Sequence, residues 1–277
     1  MLEKRSFWIA FYILVAYSLA TIYIYFINNM GMDQSTLRSS DDLFIGNAFG
    51  DYFFVFNLLF PFLVVFPYSF SFIEDKSTKI IPYIIVRSGK WNYFFSKSIT
   101  TFIGGFLLFF IPFIFNIVIL SVAFHYNFNT FLGTYKDVNY CRSLIGSNVI
   151  IKSVSYGMSF IGIYLYSPII YNVLYTFFIS IFSGILSLFS FSCSLKIKRL
   201  KVLVFLPPYI LIYFFNIINN FSYVSNKYLN TRLLDYVTVN YFYGKSTLFF
   251  VAICLTILIF SLLYIILNCK NAESFYE

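Results

Sequence analysis

Three aspartates are the nearest approach to a cluster of catalytic or metal-binding groups in this chain. Asp41 and Asp42 are adjacent, and Asp51 follows in the same polar segment. Neighbouring carboxylates can coordinate a cation or share a proton as a pair. The segment has no histidine, however, and its pattern is not that of a glycine-turned calcium loop. A solvated acidic loop is the favoured interpretation, and we expect no metal site here.

The tripeptide Gly244-Lys245-Ser246 matches the last three positions of a phosphate-binding loop. The earlier glycine of such a loop is replaced by Val239, and the motif precedes a long apolar segment instead of following a buried strand. We therefore expect no nucleotide site in this chain.

Histidine and cysteine chemistry has equally little support. His125 is the only histidine, and Cys141, Cys193, Cys254 and Cys269 have no close spacing. Neither a Ser-His-Asp triad nor a disulfide framework nor a cysteine-based zinc site is indicated. The sequence predicts a non-catalytic chain that carries no cofactor, and a membrane-embedded enzyme is the least favoured function.

The composition indicates a membrane protein. Hydrophobic residues make up 60% of the chain and charged residues only 11%, whereas a soluble domain has roughly 25% charged residues. Long apolar stretches have no charged residue in their cores, and each approaches or exceeds the ~20 residues that an α-helix needs to cross a bilayer. The predicted spans are 7–27, 52–73, 98–124, 167–193, 202–221 and 247–267.

The predicted fold class is all-α, because backbone polar groups within lipid must be satisfied inside each segment, and the short alternating strands of a membrane barrel are absent. The segment 153–193 is longer than one span requires. Pro168 predicts the start of the fourth span, because proline is tolerated at a helix start. Whether 153–166 lies at the interface or within the membrane stays open.

The distribution of positive charge predicts the orientation. With both termini in the cytoplasm, 12 of the 19 Lys and Arg residues fall on the inner side, as cytoplasmic loops require. The predicted outer segments are 28–51, 125–166 and 222–246. The formal charge of +8 is thus attributed to membrane topology and not to nucleic-acid binding. Heavy use of Phe, Tyr, Ile, Asn and Lys is typical of an AT-rich genome, which favours a bacterial plasma membrane.

The inner connection 74–97 contains a predicted short amphipathic helix at 77–89. Ser77 or Thr78 is a candidate cap, Pro82 fits its first turn, and Gly89 can end it. Its isoleucines share one face at helical spacing. The sequence alone leaves two interpretations open, an interfacial helix that packs under the bundle and a docking element for a partner.

This connection resembles that of the type-2 ABC exporter permeases. The matching features are an acidic residue ending the second span, Glu74, a short helix at 80–86, the tripeptide Arg87-Ser88-Gly89, and Tyr93 and Lys97 opening the third span. The resemblance covers the six-span topology, but its sequence-specific part is this stretch alone.

The resemblance implies a membrane subunit that pairs with a second permease copy or paralogue and binds two cytoplasmic ABC ATPase subunits, which supply the ATP and Mg chemistry. The short inner helix would be the coupling helix seated in the ATPase. The implied coupling residues are Glu74, Asp75, Lys76, Ser77, Arg87, Gly89, Lys90, Tyr93 and Lys97. In that family short re-entrant helices also lie between the fifth and sixth spans, which fits the length of 220–243.

Spans without internal charge suit an amphipathic peptide or a lipid-like cargo better than an ion, since ion-coupled transporters commonly carry intramembrane charges. Asn57, Asn116, Asn172 and Asn216 either bond between helices, which is the favoured interpretation, or line a substrate path. The alternative function is an ATP-independent immunity or receptor protein that binds an antimicrobial peptide. Either protein would also contact membrane lipids.

Overall fold

The computed structural model describes residues 5–28, 30, 44, 51–67, 69, 71–123, 163, 167–196, 201–225, 231–237 and 247–270 of the chain. Within these residues the chain is helical and has no strand, which confirms the predicted all-α fold. The helices are α1 Arg5–Asn28, α2 Asp51–Val65, α3 Ser71–Ser77, α4 Ile81–Ser88, α5 Lys90–Ala123, α6 Pro168–Ser194, α7 Leu206–Ser225, α8 Leu233–Val237 and α9 Thr247–Lys270. A 3-10 turn, Lys201–Phe205, leads into α7.

Among the described helices, α1, α5, α6 and α9 are long and apolar enough to cross a membrane. Their outward faces carry many exposed Ile, Leu, Val and Phe side chains, which are compatible with lipid and unfavourable in water. These four helices fit a multi-pass membrane protein. Two further apolar helices, α2 and α7, are shorter.

The second predicted span, 52–73, falls on two helices. Helix α2 ends at Val65 and α3 begins at Ser71. Pro67 lies in the break, where it has no amide N–H to donate to a continuing helix. Neighbouring helices hold the break, because the Ser69 hydroxyl donates to the Ser187 carbonyl at 3.4 Å. Ser69, between the two helices, is thus packed against α6.

Helix α6 lies at the centre of the bundle. In its most apolar window 67% of the residues are buried, compared with 33% or less in the other three long helices. Small residues let α5 approach it closely: Gly105 of α5 faces Gly184 of α6. The Ser183 hydroxyl also donates to the Gly105 carbonyl at 2.9 Å. Small residues and interhelical hydrogen bonds are the usual means of helix association in lipid.

Packed aromatic rings join α2 to this pair. The Phe60 ring lies 4.9 Å from that of Phe109 and 6.0 Å from that of Phe182. Helix α1 is attached through a buried polar contact, in which the Asn116 amide donates to the Ser18 hydroxyl at 2.7 Å. The helices that carry the candidate functional residues therefore pack against a tight core.

The bundle has two distinguishable ends. We call the end that carries α4 the basal end, and the other the distal end. At the basal end, the Ser6 hydroxyl near the start of α1 contacts the Pro67 carbonyl, and Cys269 near the end of α9 joins the cluster beneath α4. At the distal end, the Tyr236 ring of α8 stacks on Phe250 of α9 at 5.1 Å. Helix α8 lies in the segment 220–243, for which the resemblance implies re-entrant helices.

Candidate functional site: the basal platform

Helix α4 is held against the ends of the other helices by two isoleucines. Ile81 and Ile85 lie one turn apart and are only 4% and 6% exposed. They share a cluster with side chains from α3, α5, α6 and α9, so that four elements meet under one short helix. The cluster, which we call the basal platform, consists of Phe72, Ile81, Ile85, Tyr93, Phe94, Leu188, Phe191, Leu195, Ile265 and Cys269.

The connection from α3 to α4 is a Schellman cap. The Ile80 N–H donates to the Asp75 carbonyl and the Lys79 N–H to the Lys76 carbonyl, both at 3.2 Å, and Lys79 has the left-handed φ of 55° that this motif requires. Thr78 satisfies a further carbonyl of α3 by donating to Glu74 at 3.0 Å. The last carbonyls of α3 thus accept hydrogen bonds from residues 78–80, and the chain turns sharply into α4.

The prediction that Ser77 or Thr78 caps α4 is wrong. The residue before α4 is Ile80, and its position has no side-chain cap. Pro82 does lie in the first turn of α4, as expected, where its missing N–H costs nothing. The serine and threonine instead bond back to α3, because their hydroxyls donate to its last carbonyls.

The connection from α4 to α5 is a single glycine. Gly89 has a φ of 82°, which residues with a Cβ rarely adopt. Its N–H donates to the Ile85 carbonyl at 2.9 Å, and its own carbonyl accepts from the Tyr93 N–H at 3.2 Å. The Asn92 amide also donates to the Ser88 carbonyl at 2.9 Å. The predicted role of Gly89 as a helix end agrees with this geometry.

Asp75 joins α3 to α5. Its Oδ2 atom accepts from the Tyr93 hydroxyl at 2.6 Å and lies 2.7 Å from the Lys97 ammonium. Tyr93 is buried, and it precedes the third predicted span. Burial, followed by the hydrogen bond and the negative charge of Asp75, raises the pKa of the Tyr93 phenol. The phenol therefore keeps its proton, and the carboxylate has two donors on one oxygen.

The other implied coupling residues differ in their exposure. Glu74, Lys76 and Lys90 are half-buried, whereas Ser77 and Arg87 are exposed. The resemblance singled out Glu74 as the acidic residue, but the residue that pairs with Lys97 is its neighbour Asp75.

The face of α4 that points away from the platform is apolar and basic. Tyr83 is 78% exposed and Val86 is 86% exposed, and the exposed Arg87 follows them. Sequence reasoning missed Tyr83 and Val86. The signal was present, because both lie off the Ile81–Ile85 face at helical spacing.

The four asparagines of the possible substrate path differ in their surroundings. Asn116 is buried and bonds Ser18 across α1 and α5, as the interhelical interpretation predicts. Asn172 is buried in α6, and its backbone carbonyl accepts from the Thr176 hydroxyl at 2.9 Å. Asn57 of α2 and Asn216 of α7 are half-buried.

Several sequence motifs lie outside the described residues, namely Asp41, Asp42, His125 and Gly244-Lys245-Ser246, and the side chain of Asp51 does as well. In the part of the chain that is described, no group of three or more His, Cys, Asp or Glu side chains is placed to hold a metal ion.

Comparisons with known proteins do not identify a family. No family model matches this chain, and neither the curated proteins nor the solved structures include a match to it. The resemblance to type-2 ABC permeases therefore stays a prediction that rests on the stretch 74–97.

Proposed function

We propose that this chain is the membrane subunit of an ATP-binding cassette exporter in a bacterial plasma membrane. It would move an amphipathic peptide or a lipid-like cargo outward, with ATP hydrolysed by two separate cytoplasmic ATPase subunits. The proposed complex contains a second permease copy or paralogue. Helix α4 is the proposed coupling helix, and the basal end is the cytoplasmic end.

The observation that carries this proposal is the division of α4 into two unlike faces. Ile81 and Ile85 fix one face to four helices of the bundle, while Tyr83 and Val86 stand almost fully exposed on the other. An exposed aromatic and an exposed aliphatic side chain on a helix otherwise anchored by its neighbours are typical of a contact surface. Arg87 beside them favours a partner with acidic residues around an apolar groove.

The arrangement of the helices supports six spans with both termini on the cytoplasmic side. Helix α1 begins and α9 ends at the basal end, which requires an even number of crossings between them. The shorter helices α2 and α7 are the two remaining spans in this scheme. They pack on each other, since the Tyr209 hydroxyl of α7 donates to the Leu58 carbonyl of α2 at 2.6 Å.

The attachment of α4 supports a mechanical role. Force applied to its outer face reaches α3 through the Schellman turn and α5 through Gly89. Helix α5 has 34 residues, about 50 Å at 1.5 Å per residue, which is more than the hydrocarbon core requires. In this scheme its basal turns, which carry Lys90 and Lys97, extend below the membrane, and a tilt of those turns would be carried to the α5–α6 contact.

The test is purification of the tagged protein from its native host in mild detergent, with quantitative mass spectrometry of what co-elutes. We expect a stoichiometric ABC ATPase with the wild-type chain. Val86→Asp, which places a charge on the outer face, should reduce the bound ATPase at least tenfold. Met30→Asp places the same charge on an exposed apolar residue beyond the distal end of α1 and serves as the matched control, which should retain the ATPase.

The same preparation separates the two candidate functions. If the intact wild-type chain carries no ATPase, the exporter proposal fails and the ATP-independent immunity or receptor protein is favoured. If Val86→Asp retains the ATPase as fully as Met30→Asp does, the assignment of α4 as the docking helix fails.

A further inference from the structure

Asp75 of α3 contacts two side chains of α5, and α4 lies in the chain between these two helices. Its Oδ2 atom receives both the Tyr93 hydroxyl at 2.6 Å and the Lys97 ammonium at 2.7 Å. Tyr93 and Lys97 lie one turn apart on α5, so both reach the same point from one face. The Lys97 ammonium also lies 5.7 Å from the centre of the Tyr93 ring, which adds a cation–π contact.

This contact is shielded enough to be strong. The Lys97 and Asp75 side chains are 24% and 20% exposed, and Tyr93 is 4% exposed. Hydrogen bonds to a charged group are roughly twice as strong as those between neutral groups. An ion pair at an exposed surface contributes little to stability. Here the Asp75 side chain is only 20% exposed, and its carboxylate has two donors.

The segments on either side of α4 are the natural hinges of this region. Lys79 has a left-handed φ of 55° and Gly89 a φ of 82°, so α4 is separated from α3 and from α5 by one sharp turn each. Of the residues of α4, only Ile81 and Ile85 are buried. Apolar contacts resist separation, but they do not fix direction as hydrogen bonds do.

We propose that Asp75, Tyr93 and Lys97 are positioning residues that lock α3, α4 and α5 into one rigid body. Displacement of α4 then moves α3 and the basal turns of α5 together instead of bending the chain at Lys79 and Gly89. The lock is a property of the chain itself. Its consequence for transport rests on the proposed exporter function.

The lock is tested by hydrogen exchange of the full-length protein in lipid nanodiscs, read by mass spectrometry. The N–H groups of Ile84 and Gly89 bond the carbonyls of Ile80 and Ile85, so they report the opening of α4. Asp75→Ala should speed their exchange about tenfold or more, because it removes both the Tyr93 hydrogen bond and the Lys97 ion pair. Lys97→Met should have a similar effect.

The controls separate the lock from a loss of folding. Lys79→Met removes an exposed positive charge from the same segment and should leave exchange in α4 unchanged. The exchange of α6 peptides should be the same in all variants, because α6 lies at the centre of the bundle. Asp75→Lys combined with Lys97→Asp restores an ion pair across the same gap and should return exchange in α4 toward the wild-type rate.

A second experiment tests whether α3, α4 and the basal turns of α5 move together in the complex with the ATPase. Trapping that complex with ATP and vanadate should change exchange in 71–77, 81–88 and 90–97 together in the wild-type chain. In Lys97→Met the change should be confined to 81–88.

Unchanged exchange in Asp75→Ala, or failure of the charge-reversed pair to restore it, would overturn the lock. If no ATPase co-purifies, the exporter proposal fails. Hydrogen exchange of the protein alone in nanodiscs still decides whether α3, α4 and α5 are locked.

Discussion

Adding one methyl group at Gly184 is expected to destabilise the bundle by about 2 kcal/mol. A Cβ there would lie 2.9 Å from the backbone oxygen of Phe102 and 3.0 Å from its ring carbons. That is roughly 0.5–1 Å closer than the 3.5–4.0 Å at which carbon atoms attract one another. The obstructing atoms include backbone, so α5 and α6 must separate along this contact.

The magnitude follows from two costs and one gain. Forcing extra volume into a packed contact costs about 1–3 kcal/mol, and loss of the Ser183 hydrogen bond to Gly105 adds about 0.6 kcal/mol, the average for such bonds in membranes. Alanine recovers up to about 1 kcal/mol through its higher helix propensity. Gly105→Ala should behave in the same way, because its Cβ would lie 2.8 Å from the Cβ of Ser187.

The assay is equilibrium unfolding in mixed detergent micelles, which gives the free energy of unfolding of each variant. Ala252→Val adds volume on an exposed face of α9 and should change the free energy by less than about 0.5 kcal/mol. Ser183→Ala removes only the hydrogen bond and isolates that term. Stabilisation of Gly184→Ala by about 1 kcal/mol would mean that helix propensity alone decides, and would refute the close approach of α5 and α6.

Three further predictions concern the core, the basal end and the orientation. Asn116→Ala and Ser18→Ala should each lower the free energy of unfolding by about 0.6–1.7 kcal/mol. Their effects should not add in the double variant, because each removes the same hydrogen bond. Additive effects would exclude that bond. Glu74→Lys should uncouple ATP hydrolysis from cargo movement in the reconstituted complex while the protein stays folded, and retained transport would remove it from the coupling residues. A cysteine introduced at Lys79 should react with a membrane-impermeant maleimide only in permeabilised cells, whereas Cys141 should react in intact cells; the reverse pattern would invert the topology.

The helical class and the long apolar helices were predictable because charge-free runs of this length have one stable solution in lipid. The break between α2 and α3 was not, since the apolar composition continues through it. Pro67 marks the position, but prolines also occur inside continuous membrane helices, as Pro112 does within α5. Contacts with other helices decide which prolines interrupt a helix.

The basal platform was likewise predictable only in part. Its location, Pro82 in the first turn of α4 and Gly89 at its end followed from local chemistry, whereas the predicted start at residue 77 was wrong because Ser77 ends α3. The pairing of Asp75 with Lys97 depends on how α3 and α5 cross, and no spacing rule within one helix predicts it. The serine and threonine before α4 were assigned to the wrong helix because a hydroxyl can serve either the helix before it or the one after it.

The outer face of α4 is proposed to dock on an ATPase. A photo-crosslinking amino acid placed at Val86, which is 86% exposed, reports its neighbour directly in living cells. We expect an adduct with an ABC ATPase, identified by mass spectrometry, and no such adduct from the same probe at Ala252 on α9. Adducts with lipid alone at Val86 would exclude docking and assign α4 as an interfacial helix that only packs under the bundle.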